Sequence, residues 1–143
     1  MVSSAEDPVE YDGPESLEGH TLCHALGYQL PGDIDELIDQ EALNTTEIED
    51  MDGCARMVEL GRVDFFIPTN FTWPGHVESE GLDPDAFHVS EQPVEEQGLY
   101  FITARTDEGE QVLERFDEGL RQLRDTGRYE EIVTSHVGDE FDE

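Results

Sequence analysis

The stretch GCARMVELGRVDFFIPTN, Gly53 to Asn70, holds a helix, a stop and a strand in direct succession. Asp50 stands where it can cap the helix, and Met51, Cys54, Met57 and Val58 recur at helical spacing on one face. Gly61 suits the left-handed position just past a helix end. Val63 to Ile67 (VDFFI) is a short apolar run of the kind buried on both faces of a parallel sheet, and Pro68 ends it. A helix feeding straight into a buried strand is the unit from which α/β folds are built.

The same alternation extends outward. His20 to Leu26 (HTLCHAL) reads as a strand, followed by the loop GYQLPGD. Asp33 and Glu36 have capping-box spacing, and Ile34, Leu37 and Ile38 give the helix after them an apolar face. Asn44 to Glu49 is a weaker strand. Residues 70–82 read as loop or a short helix, Ala86 to Ser90 as a weak strand, and Gly98 to Ala104 (GLYFITA) as the strongest late strand. Asp107 with Glu110 opens a helix with Val112, Phe116, Leu120 and Leu123 on its buried face and Gly127 as its stop. A last helix spans Tyr129 to Val137, ended by Gly138. Met1 to Glu18, acidic and broken by Pro and Gly, reads as a linker, and residues 139–143 (DEFDE) as a frayed tail. The fold class is α/β, with a mainly parallel sheet flanked by helices.

The 143 residues suffice for one ordinary domain. Asp and Glu number 37 against 7 basic residues, all arginine, for a formal charge of -30. Such a surface repels phosphates and anionic lipid, which excludes nucleic acid as a partner. Three readings compete for the charge: a disordered acidic chain, a sink for divalent cations, or a folded protein adapted to high salt. Periodic apolar residues among the acids oppose the first, and the absence of a D-x-D-x-D-G loop opposes the second. Salt adaptation is the reading carried forward. The opening residues have neither a basic start nor an apolar run, so no signal peptide is expected within this chain. No segment approaches the ~18 apolar residues of a spanning helix, and membrane insertion is not expected.

Strand alternation turns Cys23 away from His20, Leu22 and His24, while Cys54 lies on the buried face of its helix. A Cys23–Cys54 disulfide and two buried free thiols are both compatible with that arrangement. A metal site from His20, Cys23, His24 and Cys54 is a third reading, opposed by the alternation and by the lack of a CxxC pair. There is no G-x-S-x-G elbow, no Walker loop and no G-x-G-x-x-G after a strand. No catalytic residue, metal or cofactor is therefore assigned, and the chain does not read as an enzyme.

Ligands of open α/β sheets sit beyond the carboxyl ends of the strands. Two loops qualify. Gly27 to Asp33 offers Tyr28 and Gln29 beside a helix start whose free N–H groups favour an anionic group. Pro68 to Trp73 offers Thr69, Asn70, Thr72 and the only Trp, Trp73. Ordinary loop chemistry, with Pro and Asn for turning and Trp73 as a lid on the core, is the competing reading for each of these residues in both loops.

The order SLEG–strand–GY-x-LP–helix, then D-M-x-x-C-x-x-M-x-x-x-GRVD and an apolar strand, resembles the family 3 extracellular (periplasmic) solute-binding proteins, of the type 2 periplasmic-binding-protein fold. The ending is similar to that family's helix pattern at Phe116, Leu120, Leu123, Gly127, Tyr129 and Ile132, and the resemblance runs from Ser16 to Gly138. It implies two α/β lobes around a cleft, with residues 19–90 as lobe two. Residues 91–138 would be a crossover strand and C-terminal helices returning toward lobe one. It also implies a Cys23–Cys54 disulfide, a periplasmic or extracellular location, and delivery of a small polar, amino-acid-like solute to an ABC transporter or a sensor. The first half of lobe one, with its aromatic clamp and arginine, has no counterpart: either the chain is a fragment or a shortened relative, or it completes itself with a partner covering the missing part. Thr69 and Asn70 stand where amino-acid binders commonly place an Asp. The alternative is a shortened binding-protein fold acting as an interaction module without solute binding.

Overall fold

The computed structural model describes residues 1–96 and 98–137. They fall into two compact units that divide after Glu96.

The first unit is built on a five-stranded sheet: β1 (Val2–Ser4), β2 (Thr21–Ala25), β3 (Asn44–Ile48), β4 (Phe65–Phe66) and β5 (Phe87–Val89), in the order β3-β2-β4-β1-β5. Strand β2 runs parallel to β3 and β4, while β1 is antiparallel to both β4 and β5. Four strands therefore point one way, and the sheet is mixed but mostly parallel. Helices α1 (Gly32–Asp39), α2 (Met51–Glu59) and α3 (Trp73–Glu80) connect the strands.

Period-two alternation sends β2 and β4 into two separate cores. Leu22 is paired with Phe65, and both join Leu17, Ile34, Leu37 and Leu43 on the α1 side. Cys23 is paired with Phe66, and both join Cys54, Ala55, Val58 and Val63 on the α2 side. Burial on both faces is why VDFFI reads as continuously apolar. Only Phe65 and Phe66 of that run enter the ladder, yet Val63 is still buried. Helix α2 begins as its sequence dictates: the Asp50 carboxylate accepts from the Gly53 N–H at 3.0 Å. It is followed by Gly61 in the left-handed region, φ 61°. Helix α1 departs from expectation by starting at Gly32, with no side-chain cap and Asp33 inside its first turn.

The N-terminal residues correct the sequence reading most. Val2–Ser4 is no linker but a strand inserted between β4 and β5, with Val2 and Ser3 fully enclosed. Val9 and Leu17 are also buried, and the Ser3 hydroxyl accepts from the Val9 N–H at 3.0 Å. Three residues carry almost no periodicity, and the acids after them masked the strand.

The second unit contains α4 (Asp107–Asp125) and α5 (Arg128–Val137). Thr106, one residue earlier than expected, caps α4 by accepting from the Gly109 N–H at 3.1 Å. Gly98 to Ala104, expected as a strand, forms none. A strand needs a neighbour to pair its amides, and no described residue supplies one. The segment instead lies along α4, with Phe101 stacked on Phe116 at 4.4 Å between ring centroids. The Thr103 hydroxyl also donates to the Gly109 carbonyl at 3.1 Å. The expected stop at Gly138 and the tail lie outside the described residues.

Candidate functional site

Because β2, β3, β4 and β5 share one direction, the loops that follow them emerge at a single edge of the sheet. Met1, at the start of the opposed β1, reaches the same edge, where its carbonyl accepts from the Ser90 N–H at 3.0 Å. The two loops singled out in the sequence follow β2 and β4, which are hydrogen-bonded neighbours.

After β2 the chain turns sharply, with Gly27 at φ 74° and the Tyr28 N–H donating to the Ala25 carbonyl at 3.0 Å. This turn presents Leu26, Tyr28 and Gln29 to solvent, Leu26 at 69% exposure. Helix α1 starts directly beyond. Asp33 and Asp35 in its first turn already occupy the favourable end of its dipole. An anionic group there meets two carboxylates, which counts against the anion preference expected from the helix start alone.

After β4, Thr69 and Thr72 lock the loop reciprocally. The Thr69 N–H donates to Thr72 Oγ1 at 3.2 Å, and the Thr72 N–H donates to Thr69 Oγ1 at 3.2 Å. The Thr69 carbonyl also accepts from the Trp73 N–H at 3.0 Å, opening α3. Thr69 is thus held in place by its neighbours, with Asn70 exposed beside it. Trp73 turns inward instead, edge-on to Phe66 at 5.6 Å and to Phe87 at 5.2 Å, as a lid on the core. Phe71, at 47% exposure, joins Leu26 and Tyr28 as a large apolar side chain presented by these loops. Sequence reasoning passed over Leu26 and Phe71. Their signal was an apolar residue just beyond each strand, where a plain turn favours polar ones.

Cys23 and Cys54 are bonded to each other, with Cα atoms 5.5 Å apart, so neither sulfur is available to a metal. Among the described residues no group of His, Cys, Asp or Glu is placed to hold a metal ion. An acidic hollow of about 400 Å³ lies between residues 14–18 and α1, lined by Glu15, Glu18, Asp33 and Glu36. Burial, then the charges of Asp33 and Glu15, raise the nearby Tyr11 phenol above its ordinary pKa.

No family model and no curated protein matches the sequence. Solved structures do match. An ancestral arginine-binding protein bound to arginine aligns at a TM-score of 0.66 and 16% identity, over 96% of this chain and 58% of that one. The substrate-binding domain 2 of Lactococcus lactis GlnP, in open conformation, aligns at 0.66 and 16%, over 97% and 57%. A putative L-cystine ABC transporter protein from Listeria monocytogenes aligns at 0.67 and 13%, over 99% and 59%. The chain thus spans less than two thirds of the length of the structures it matches, and over that span its fold is that of the periplasmic-type solute-binding proteins.

Proposed function

We propose that the first unit is one lobe of a solute-binding protein, taking a small polar, amino-acid-like solute at the edge where β2 and β4 end. Tyr28, Gln29, Thr69 and Asn70 are its contacts, with Leu26 and Phe71 supplying apolar surface. The observation that carries this reading is the convergence of two ligand-type loops on neighbouring parallel strands, in a fold shared with binding proteins for amino acids. The role is binding without catalysis, for ABC-type uptake or for sensing. Asp33 and Asp35 in the first turn of α1, together with Glu49 and Asp50 after β3, favour a solute bearing a positive group over an anion.

Residues 98–137 serve in this proposal as the return toward a first lobe. The disulfide fits a periplasmic or extracellular location, and among the described residues no helix is long and apolar enough to cross a membrane. The dispersed acidic surface is read as adaptation to high salt. Thermal melting against arginine, glutamine, cystine and uncharged polar solutes tests the binding role, since a ligand of the folded state alone raises the melting temperature. A melting temperature unmoved by every solute favours the second reading, an interaction module that has kept the fold. The exposed apolar residues from Leu99 to Ile102 are the observation behind that alternative.

A further inference from the structure

Helix α3 follows the loop that presents Thr69 and Asn70, and none of its residues is fully buried. The partly enclosed ones are Trp73, His76, Val77 and Glu80, which are the i, i+3, i+4 and i+7 positions of one face. A surface helix ordinarily fills such a face with apolar side chains. Here a histidine and a glutamate take two of those places.

Both find their partners on α2. The His76 Nδ1 faces the Asp52 carboxylate, and because a carboxylate only accepts, that nitrogen carries the hydrogen. One turn further along both helices, the Arg56 Nε donates to Glu80 Oε2 at 3.0 Å. Asp52 and Arg56 are four residues apart, and so are His76 and Glu80. The contacts are therefore two rungs of a ladder with one register. A slip of one turn sets Asp52 against Glu80, two acids, or Arg56 against His76, two donors. Arg56 and Arg62 are the only arginines among residues 1–96, which hold no lysine, so the second rung uses one of two fixed cations in this unit.

Hydrogen bonds carry the first rung to the candidate site. The His76 N–H donates to the Thr72 carbonyl at 3.0 Å, the Thr72 and Trp73 N–H groups both donate to the Thr69 carbonyl, and Thr69 and Thr72 also hold each other through their hydroxyls. Asp52 stands two residues after Asp50, which caps α2 and ends the loop after β3. This rung thus joins the loop after β3 to the loop after β4. Trp73, edge-on to Phe66 and Phe87, pins the start of α3, and the rungs set how the rest of it lies on α2.

We propose that His76 and Asp52, with Arg56 and Glu80 behind them, are positioning residues that hold the Thr69–Asn70 loop against the start of α2. They touch no solute and act through Thr72 and Thr69. What the loop is held for rests on the solute-site reading; that it is held this way does not.

The test is amide hydrogen exchange of the protein without solute, read by NMR, so failure of the solute panel would remove the site and leave this measurement to decide the ladder. In His76→Ala and in Asp52→Ala the Thr72 and Trp73 amides are expected to exchange about tenfold faster while the amides of β2 and β4 keep their parent rates. Alanine favours helix, so propensity opposes the change expected from His76→Ala. The double variant should exchange no faster than either single one, as for a directly coupled pair. Arg56→Glu, which sets two acids together, should speed the same amides, and Arg56→Glu combined with Glu80→Arg should restore the parent rates. A helix that had merely lost stability would not recover when the charges are exchanged. Parent rates in both alanine variants, equal acceleration of the β2 and β4 amides, or a reversed pair that stays fast overturns the proposal.

Discussion

Asp64 ties the starts of β2 and β4 together: its carboxylate accepts from the Thr21 N–H at 2.6 Å, and its own N–H donates to the Thr21 carbonyl at 2.9 Å. The His20 ring stands 3.7 Å from the same carboxylate. This clasp fixes the register that places the loops after β2 and β4 side by side. Asp64→Ala removes the side-chain half of the clasp and is expected to cost about 1–2 kcal/mol in urea unfolding, the range of a hydrogen bond to a partly exposed charged group. An unchanged midpoint would show that the register is held without it.

The Cys23–Cys54 bond closes a separation of 31 residues. Chain entropy alone assigns such a loop about 3–4 kcal/mol. Cys54→Ser under oxidising conditions should lower stability by that order, and reduction of the parent protein should do the same. In the unfolded, unreduced protein neither sulfur should react with a thiol reagent. Rapid labelling of both would refute the bond.

Two glycines of α4 separate packing from helix propensity. A Cβ on Gly109 would stand 2.0 Å from the Ala104 carbonyl oxygen, a backbone atom that moves only with the whole 98–104 segment. A Cβ on Gly119 would meet nothing within 4 Å. Gly109→Ala should destabilise by about 1–3 kcal/mol as an overpacked site, whereas Gly119→Ala should stabilise by up to about 1 kcal/mol. Helix melting followed by circular dichroism reads both, and equal effects would contradict the close approach.

Acidic residues spread along the whole chain, and the net charge of -30, set the response to salt. Counter-ions shorten the range of self-repulsion, to ~3 Å at 1 M. Melting temperature is therefore expected to climb steeply with potassium chloride. A flat profile would reject salt adaptation.

Much of this architecture was legible in the sequence, and the exceptions have physical causes. Helix α2 and its cap at Asp50 could be read because nine residues carry a full 3.6-residue pattern with a capping carboxylate at the right spacing. VDFFI announced its strand because two cores close over it, one around Phe65 and the other around Phe66. Val2–Ser4 could not be found, since its identity as a strand comes from β4 and β5, more than sixty residues later in the chain. GLYFITA failed in the opposite sense: its composition suits a strand, but pairing is a property of two segments, and the described residues hold only one. At the candidate site, Tyr28, Gln29, Thr69 and Asn70 were placed by the rule that ligand loops follow strands. That β2 and β4 are neighbours, and that Leu26 and Phe71 face outward beside them, depends on sheet order, which local patterns do not encode.

The central claim is that the loops after β2 and β4 bind a small polar solute. Isothermal titration calorimetry in high salt, across polar amino acids and related solutes, tests it most directly. The account predicts saturable heat for at least one solute, and an affinity loss of about tenfold, equivalent to ~1.4 kcal/mol, in Tyr28→Ala and in Asn70→Ala, both exposed positions whose substitution leaves the core intact. No heat from any solute with the folded protein, or binding untouched by both substitutions, would contradict it.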